Sequence, residues 1–179
     1  MVVDTINVET VDPAAYRLEV RSWLEENLPQ AWRADLPGYK HQTLPELYAW
    51  ERQMYAAGYA GVAWPKIYGG QGLTIREHLI LNQEIGRIAM PLSTNSLGKE
   101  LVGPILLAIG SEVQKHRFIP SLLNMDEIWC QGFSEPEAGS DLAQVRTRAE
   151  KKENTWLING HKIWTSLADR ADYCLLLAR

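Results

Sequence analysis

The sequence predicts an α+β fold, an all-helical N-terminal part followed by a small antiparallel β part. Three observations carry this. Up to about Asn124, apolar residues recur at helical spacing behind capping signals. Beyond it they alternate with polar ones at period two. In that second part, Asn159-Gly160 stands between two apolar-rich arms, the strongest short-range hairpin signal a sequence offers.

The elements follow in order. Asp12-Pro13 reads as an N-cap with proline at the first helical position, and Tyr16, Val20, Trp23, Leu24 and Leu28 behind it share one face. The stretches "TLPE" (43–46), "TIRE" (74–77) and "SEVQ" (111–114) have capping-box form, so each opens a helix. Between the second and third helices, Gly58 to Leu73 carries five glycines and a proline and is expected to be an irregular loop lying against the rest. Leu101 to Gly110 is apolar on nearly every side, which predicts a helix buried all round, bent or begun at Pro104. In the β part, Ile128 to Phe133 is a short strand. Gln144 to Glu150 alternates Val145, Thr147 and Ala149 against Arg146, Arg148 and Glu150, the pattern of a half-buried strand. Thr155 to Ser166 is the hairpin, and Tyr173 to Ala178 a last strand with an apolar edge that needs cover.

Composition narrows function. The chain has 179 residues, 46% hydrophobic and 22% charged, with net charge −4 and a pI of about 5.6. That balance gives no electrostatic case for nucleic acid or an acidic membrane. No apolar run approaches the roughly 18 residues of a membrane span. The acidic start is not a secretory signal, and Cys130 and Cys174 lack metal-ligand spacing; both are expected reduced and buried in a cytoplasmic protein. His41, His78, His116 and His161 are scattered, so no metal site is expected. One stretch stands out chemically: "SEPEAGSD", Ser134 to Asp141, with three carboxylates and two hydroxyls in a Pro- and Gly-shaped turn. Taken alone it reads first as a surface turn whose Ser and Asp cap backbone groups.

Four linked blocks change that reading: "GVAWPKIYGGQGL", "GPILLAIGSEVQKHRFIPSLL", "WCQGFSEPEAGSDLAQVRTRAEK" and "WLINGHKIWTSLADRADYCLLLAR". In this order and spacing they resemble the acyl-CoA dehydrogenase family, from roughly Gly58 to the last residue. The family signature runs here from Gly132 to Asp141, with Phe133 in place of the usual aliphatic and Gln144 in place of a small residue. Glu137 and the "WTSLA" after Ile163 resemble a branch common among actinobacterial acyl-CoA and steroid side-chain enzymes.

The resemblance implies a helical domain over 1–125, a middle β domain beginning at 126 and truncated at 179, and a C-terminal helical bundle absent from this sequence. The β part would then be an incomplete antiparallel β-barrel-like domain. It implies FAD as cofactor, an acyl-CoA thioester as substrate, homo- or hetero-oligomeric assembly, and an acceptor of the electron-transfer flavoprotein type. Gln131, Phe133, Ser134, Gly139 and Ser140 match the first flavin-contacting segment, with Ser140 also matching a position that contacts bound acyl-CoA. Trp164, Thr165 and Ser166 match the second, the tryptophan flanking the ring system and Ser166 standing where Thr is more usual. Glu135 and Asp141 are expected to hold the turn rather than act as bases. Arg146 and Arg148 read as solvated sheet charges. The catalytic carboxylate belongs to the missing bundle, so no catalytic residue is assigned here and the chain alone is expected to be inactive. Two other readings remain: a non-catalytic partner subunit of a two-chain dehydrogenase, or a flavin monooxygenase or nitroalkane-oxidase-like relative on the same fold.

Overall fold

The structure, a computed structural model, describes residues 11–32, 42–90 and 93–179; His41 lies outside them. Helix α1, Pro13–Asn27, starts where Asp12 accepts the Ala14 N–H at 3.1 Å, and buries Tyr16, Val20 and Leu24 on the predicted face. Helices α2 (Leu44–Ala56) and α3 (Ile75–Arg87) open on the predicted capping boxes, Glu46 accepting from Thr43 N–H at 2.8 Å and Glu77 from Thr74 N–H at 2.9 Å. These three helices enclose a first core of Val20, Leu24, Trp50, Met54, Ile80 and Leu81, with Trp23 and Trp50 rings 5.4 Å apart.

A π turn, Gly98–Val102, leads into α4, Gly103–Ile109, and Ser111 caps α5, Glu112–Leu123. Pro104 brings no N–H to the ladder, and the Gly103 N–H reaches back five residues to the Gly98 carbonyl. The expectation that 101–110 is buried all round is corrected. Ile109 is 82% exposed, Pro104 and Ala108 are also exposed, and only the Val102, Leu106 and Leu107 side reaches the second core. A run of uniformly apolar residues shows no stripe, so its sequence could not say which side would be covered.

The second core joins Val102, Ile119, Leu122, Leu123 and Trp129, and Tyr173 stacks on Trp129 at 5.0 Å. The glycine-rich loop lies between the two cores: Tyr59 and Val62 enter the first, Ala60 and Tyr68 the second. It folds back on itself through Leu73 N–H to the Val62 carbonyl (3.0 Å) and Gly72 N–H to the Trp64 carbonyl (2.8 Å). At Gly70 a Cβ would collide with the Trp64 backbone, so glycine is required by close approach. Asn95, with no exposed surface, ties helices to strands: it donates to the Leu122 and Glu127 carbonyls (3.2 and 3.0 Å) and accepts from Trp129 N–H (3.1 Å).

The chain is α+β in class, as expected, but its β part differs in pairing. Strands β1 (Trp129–Gly132), β2 (Arg148–Lys152), β3 (Thr155–Asn159) and β4 (Tyr173–Leu176) form two two-stranded sheets, with no closed barrel among the described residues. β1 and β4 run parallel, Trp129 opposite Tyr173 and Gly132 opposite Leu176, which corrects the all-antiparallel expectation. The whole β2–β3 hairpin sits inside the connection between them, and a connection of that length can return the chain in the same direction. β2 and β3 are antiparallel, but Lys152 pairs with Thr155, so the turn is Glu153-Asn154, with Glu153 at φ 50°. Asn159-Gly160 is therefore not the hairpin turn. Gly160 serves close packing instead: a Cβ there would overlap Thr147 Oγ1. The predicted alternation does hold, Val145 and Thr147 being buried while Arg146 and Arg148 are exposed, although ladder pairing begins only at Arg148.

Candidate functional site

The turn that interrupts the β part is built around one carboxylate. Glu135, 6% exposed, and Ala138 exchange backbone hydrogen bonds (2.9 and 3.1 Å), closing the Pro136-Glu137 turn. The Glu135 side chain then accepts from Arg146 N–H (2.6 Å), Thr147 N–H (2.9 Å), Thr147 Oγ1 (2.6 Å) and Lys162 Nζ (2.8 Å). Lys162 comes first among the groups that hold its carboxyl far below the usual carboxylate range, ahead of the Thr147 hydroxyl; burial opposes them. A carboxylate so engaged holds loops together, and one kept ionised by Lys162 is a weak base for proton abstraction. Asp141 also holds the turn, accepting from Gln144 Nε2 at 2.8 Å, through a side-chain donor rather than the backbone groups expected. Glu137 pairs with Arg146 on the surface.

Lys162 links this turn to a second loop. Its ammonium also donates to the Phe133 carbonyl (2.9 Å), and Ile163 N–H donates to the Ser134 carbonyl (2.9 Å). After Ile163 the backbone leaves the extended region. Trp164 at φ 56° and Leu167 at φ 68° are non-glycine residues in left-handed conformation, and Trp164 is 86% exposed. Holding such residues costs on the order of 1–3 kcal/mol each, and they cluster at functional sites. Ser166 N–H turns back to the Trp164 carbonyl (3.0 Å), whereas the Trp164 and Thr165 N–H groups have no acceptor among the described residues.

Between the two loops lies a hollow of about 410 Å³. It is lined by Gln131, Phe133 and Ser134 at the end of β1, by Ile163, Trp164, Ser166 and Leu167, and by Ser93, Thr94, Ser96 and Leu97 before the π turn. Five residues singled out from sequence thus meet in one place: Gln131, Phe133, Ser134, Trp164 and Ser166. Gly139, Ser140 and Thr165 do not line it; Gly139 and Ser140 are exposed at the far end of the turn. Sequence reasoning missed the helical-side wall, whose only local signal is the small, polar run "STNS", and missed Lys162, whose partner lies 27 residues away. A volume of this order suits part of a cofactor or substrate. An exposed aromatic face, the hydroxyls of Ser134 and Ser166, and the Trp164 N–H with no acceptor among the described residues suit a planar, carbonyl-bearing ring.

The remaining candidates are structural. His116 packs edge-on to Tyr68 with centroids 5.0 Å apart, His78 meets Asn82 at 3.1 Å, and His161 is exposed. No three His, Cys, Asp or Glu side chains among the described residues could hold a metal. No helix among them is long and apolar enough to cross a membrane. Cys130 is buried, with burial pushing its thiol up to about 11, and Cys174 is exposed, not buried as expected.

Comparison with known proteins bears on this geometry. Residues 10–126 match the acyl-CoA dehydrogenase N-terminal domain, and residues 130–179 match the middle domain. An acyl-CoA dehydrogenase of Mycobacterium tuberculosis, IpdE1, is 42% identical over 172 residues, covering 94% of this chain and 45% of the relative. The mitochondrial isovaleryl-CoA dehydrogenase of Pongo abelii is 32% identical, covering 98% of this chain and 41% of the relative. Among solved structures, the ChsE4-ChsE5 complex from Mycobacterium tuberculosis aligns at TM-score 0.77 and 33% identity over 95% of this chain and 42% of that one. The Tcur3481-Tcur3483 steroid acyl-CoA dehydrogenase aligns at TM-score 0.75 and 34% identity, covering 94% and 44%. The chain spans less than half the length of these relatives.

Proposed function

This chain belongs to the acyl-CoA dehydrogenase family, and from that premise we propose that it supplies one wall of the site in an FAD-dependent enzyme that oxidises the α,β C–C bond of an acyl-CoA thioester. The reading comprises a helical domain over 1–125 and the start of a middle β domain from 126. FAD, when bound, supplies the acceptor for the hydride that leaves the β-carbon. The chain's own residues position and polarise. The N–H group of Trp164 and the hydroxyls of Ser134 and Ser166 are donors for an acceptor that grows electron-rich. The Trp164 indole offers a flat apolar face and keeps water from one side of the ring. Glu135 and Lys162 fix the distance between the two loops, so that these donors need not reorganise during the reaction. Among the described residues no carboxylate lines the hollow, so the base that removes the α-proton comes from another part of the enzyme.

A single observation carries the proposal: Ser134 and Trp164 with Ser166, from loops 30 or so residues apart in sequence, share one hollow. A second reading, that the chain works only with a different subunit, is supported by the two-chain composition named for its structural neighbours. Titrating the purified chain with FAD tests both. Saturable quenching of flavin fluorescence, weakened by Trp164→Ala, supports the proposed wall, and its absence for the chain alone but not for a reconstituted pair supports the partner reading. Enoyl-CoA formation by the chain alone would sink the claim that the base lies elsewhere.

A further inference from the structure

The helical-side wall of the hollow is governed from behind. Ser93 and Thr94 line the hollow, and both lean on Glu51 of α2, a carboxylate 5% exposed that stands outside it. Glu51 Oε1 accepts from Thr94 N–H (2.7 Å) and Thr94 Oγ1 (2.6 Å), and Oε2 accepts from Ser93 Oγ and from Lys99 Nζ (2.6 Å). Burial works against the ionised form, but Lys99 and the hydroxyls outweigh it and hold the carboxyl low.

The Glu51–Lys99 junction therefore fixes a direction. An ionised carboxylate only accepts, and a hydroxyl carries one proton. Thr94 spends that proton on Glu51 behind the wall, so toward the hollow its Oγ1 offers lone pairs alone. Ser93 Oγ is committed in the same way and also accepts from Asn95 N–H (3.2 Å). Across the hollow, the Ser134 and Ser166 hydroxyls have no partner among the described residues and can turn either way. Resting on the reading above, we infer that Glu51 is a positioning residue that makes Thr94 an acceptor, and that this wall recognises an O–H or N–H group of the molecule in the hollow, flavin or acyl-CoA. Water can also donate to Thr94, so the selectivity lies in the direction of the bond. A ligand carbonyl placed there would face lone pair against lone pair and go unpaired.

The test uses the assembled enzyme and calorimetry. FAD is titrated into the flavin-free form, and S-octyl coenzyme A, an unreactive thioether, into the flavin-loaded form. Thr94→Val keeps the shape and removes the acceptor, so it should weaken at least one of the two ligands about 5-fold or more, and which one identifies the source of the donor. Thr94→Ser keeps the hydroxyl and should stay within about 2-fold of wild type. In Glu51→Gln, Lys99 holds the amide oxygen, so the NH2 faces Thr94 and turns its proton into the hollow. That change should weaken the same ligand, yet by no more than about 2-fold further in the Thr94→Val background, because Glu51 acts through that hydroxyl. A purely structural Glu51 would cost the same in both backgrounds. Unchanged affinities in Thr94→Val, a loss in Thr94→Ser as large as in Thr94→Val, or equal Glu51→Gln losses in both backgrounds would overturn the inference and leave the proposed function standing. Wild-type enzyme that takes up no flavin would overturn the proposed function, and this inference with it.

Discussion

Replacing Glu84 by Gln should remove a large, pH-dependent share of the helical domain's stability. Glu84 is on α3, its side chain 2% exposed, and three arginines converge on it. Arg21 donates twice (2.9 and 3.0 Å), Arg17 and Arg87 once each at 2.9 Å, so the carboxylate clamps α1 to α3. Arg21 leads these in holding the carboxyl down to about 2 from an ordinary 4.5, against the cost of burial. A displacement of that size corresponds to ~3 kcal/mol. The arginines are 36–39% exposed and water screens them, which reduces the expectation to about 2 kcal/mol. Because the folded-state value is depressed, the contribution is complete above pH 4.5 or so and fades as pH falls toward 2. Urea unfolding of wild type and Glu84→Gln at a series of pH values measures it, and the difference between the two cancels the other carboxylates. A gap of about 2 kcal/mol near neutrality that closes in acid is expected. The same gap at neutral and acidic pH, or none at neutral pH, would refute the reasoning.

Trp164→Ala should leave thermal stability within about 0.5 kcal/mol, since the indole is 86% exposed, while weakening flavin binding; calorimetry and flavin titration separate the two effects. Lys162→Met leaves Glu135 buried without its cation and should lower both the melting temperature and flavin affinity, and Glu135→Gln should lose less, which differential scanning calorimetry can rank. Asn95→Leu strands the Trp129 N–H and two carbonyls; at about 1–3 kcal/mol for an unsatisfied buried group, a loss of about 3 kcal/mol in denaturant unfolding is expected. Gly160→Val forces a side chain into Thr147 and should destabilise by about 1–3 kcal/mol, with amide exchange rising at Arg146 and Thr147.

Helix positions, caps and the α+β class were legible in the sequence because their causes are local. A Thr74 hydroxyl and a Glu77 carboxylate three residues apart satisfy orphan N–H groups whatever lies beyond them. The alternation of Val145 and Thr147 likewise needs only the pleat of one strand. Five residues of the hollow were also singled out from the sequence, through the family resemblance, although no local signal said that they would meet.

The rest depended on what the chain meets at long range. Asn159-Gly160 has ideal turn chemistry, yet Gly160 is spent on Thr147 and the turn forms at Glu153-Asn154, because packing outweighs a local preference of about a kcal/mol. Parallel pairing of β1 with β4 follows from Tyr173 stacking on Trp129 over the helical core, a contact that neither strand announces. The Ser93 wall, the Glu135–Lys162 tie and the Glu51–Lys99 junction join residues between 27 and 48 positions apart. Their energies arise only when the fold removes both partners from water, so only the tertiary structure decided them.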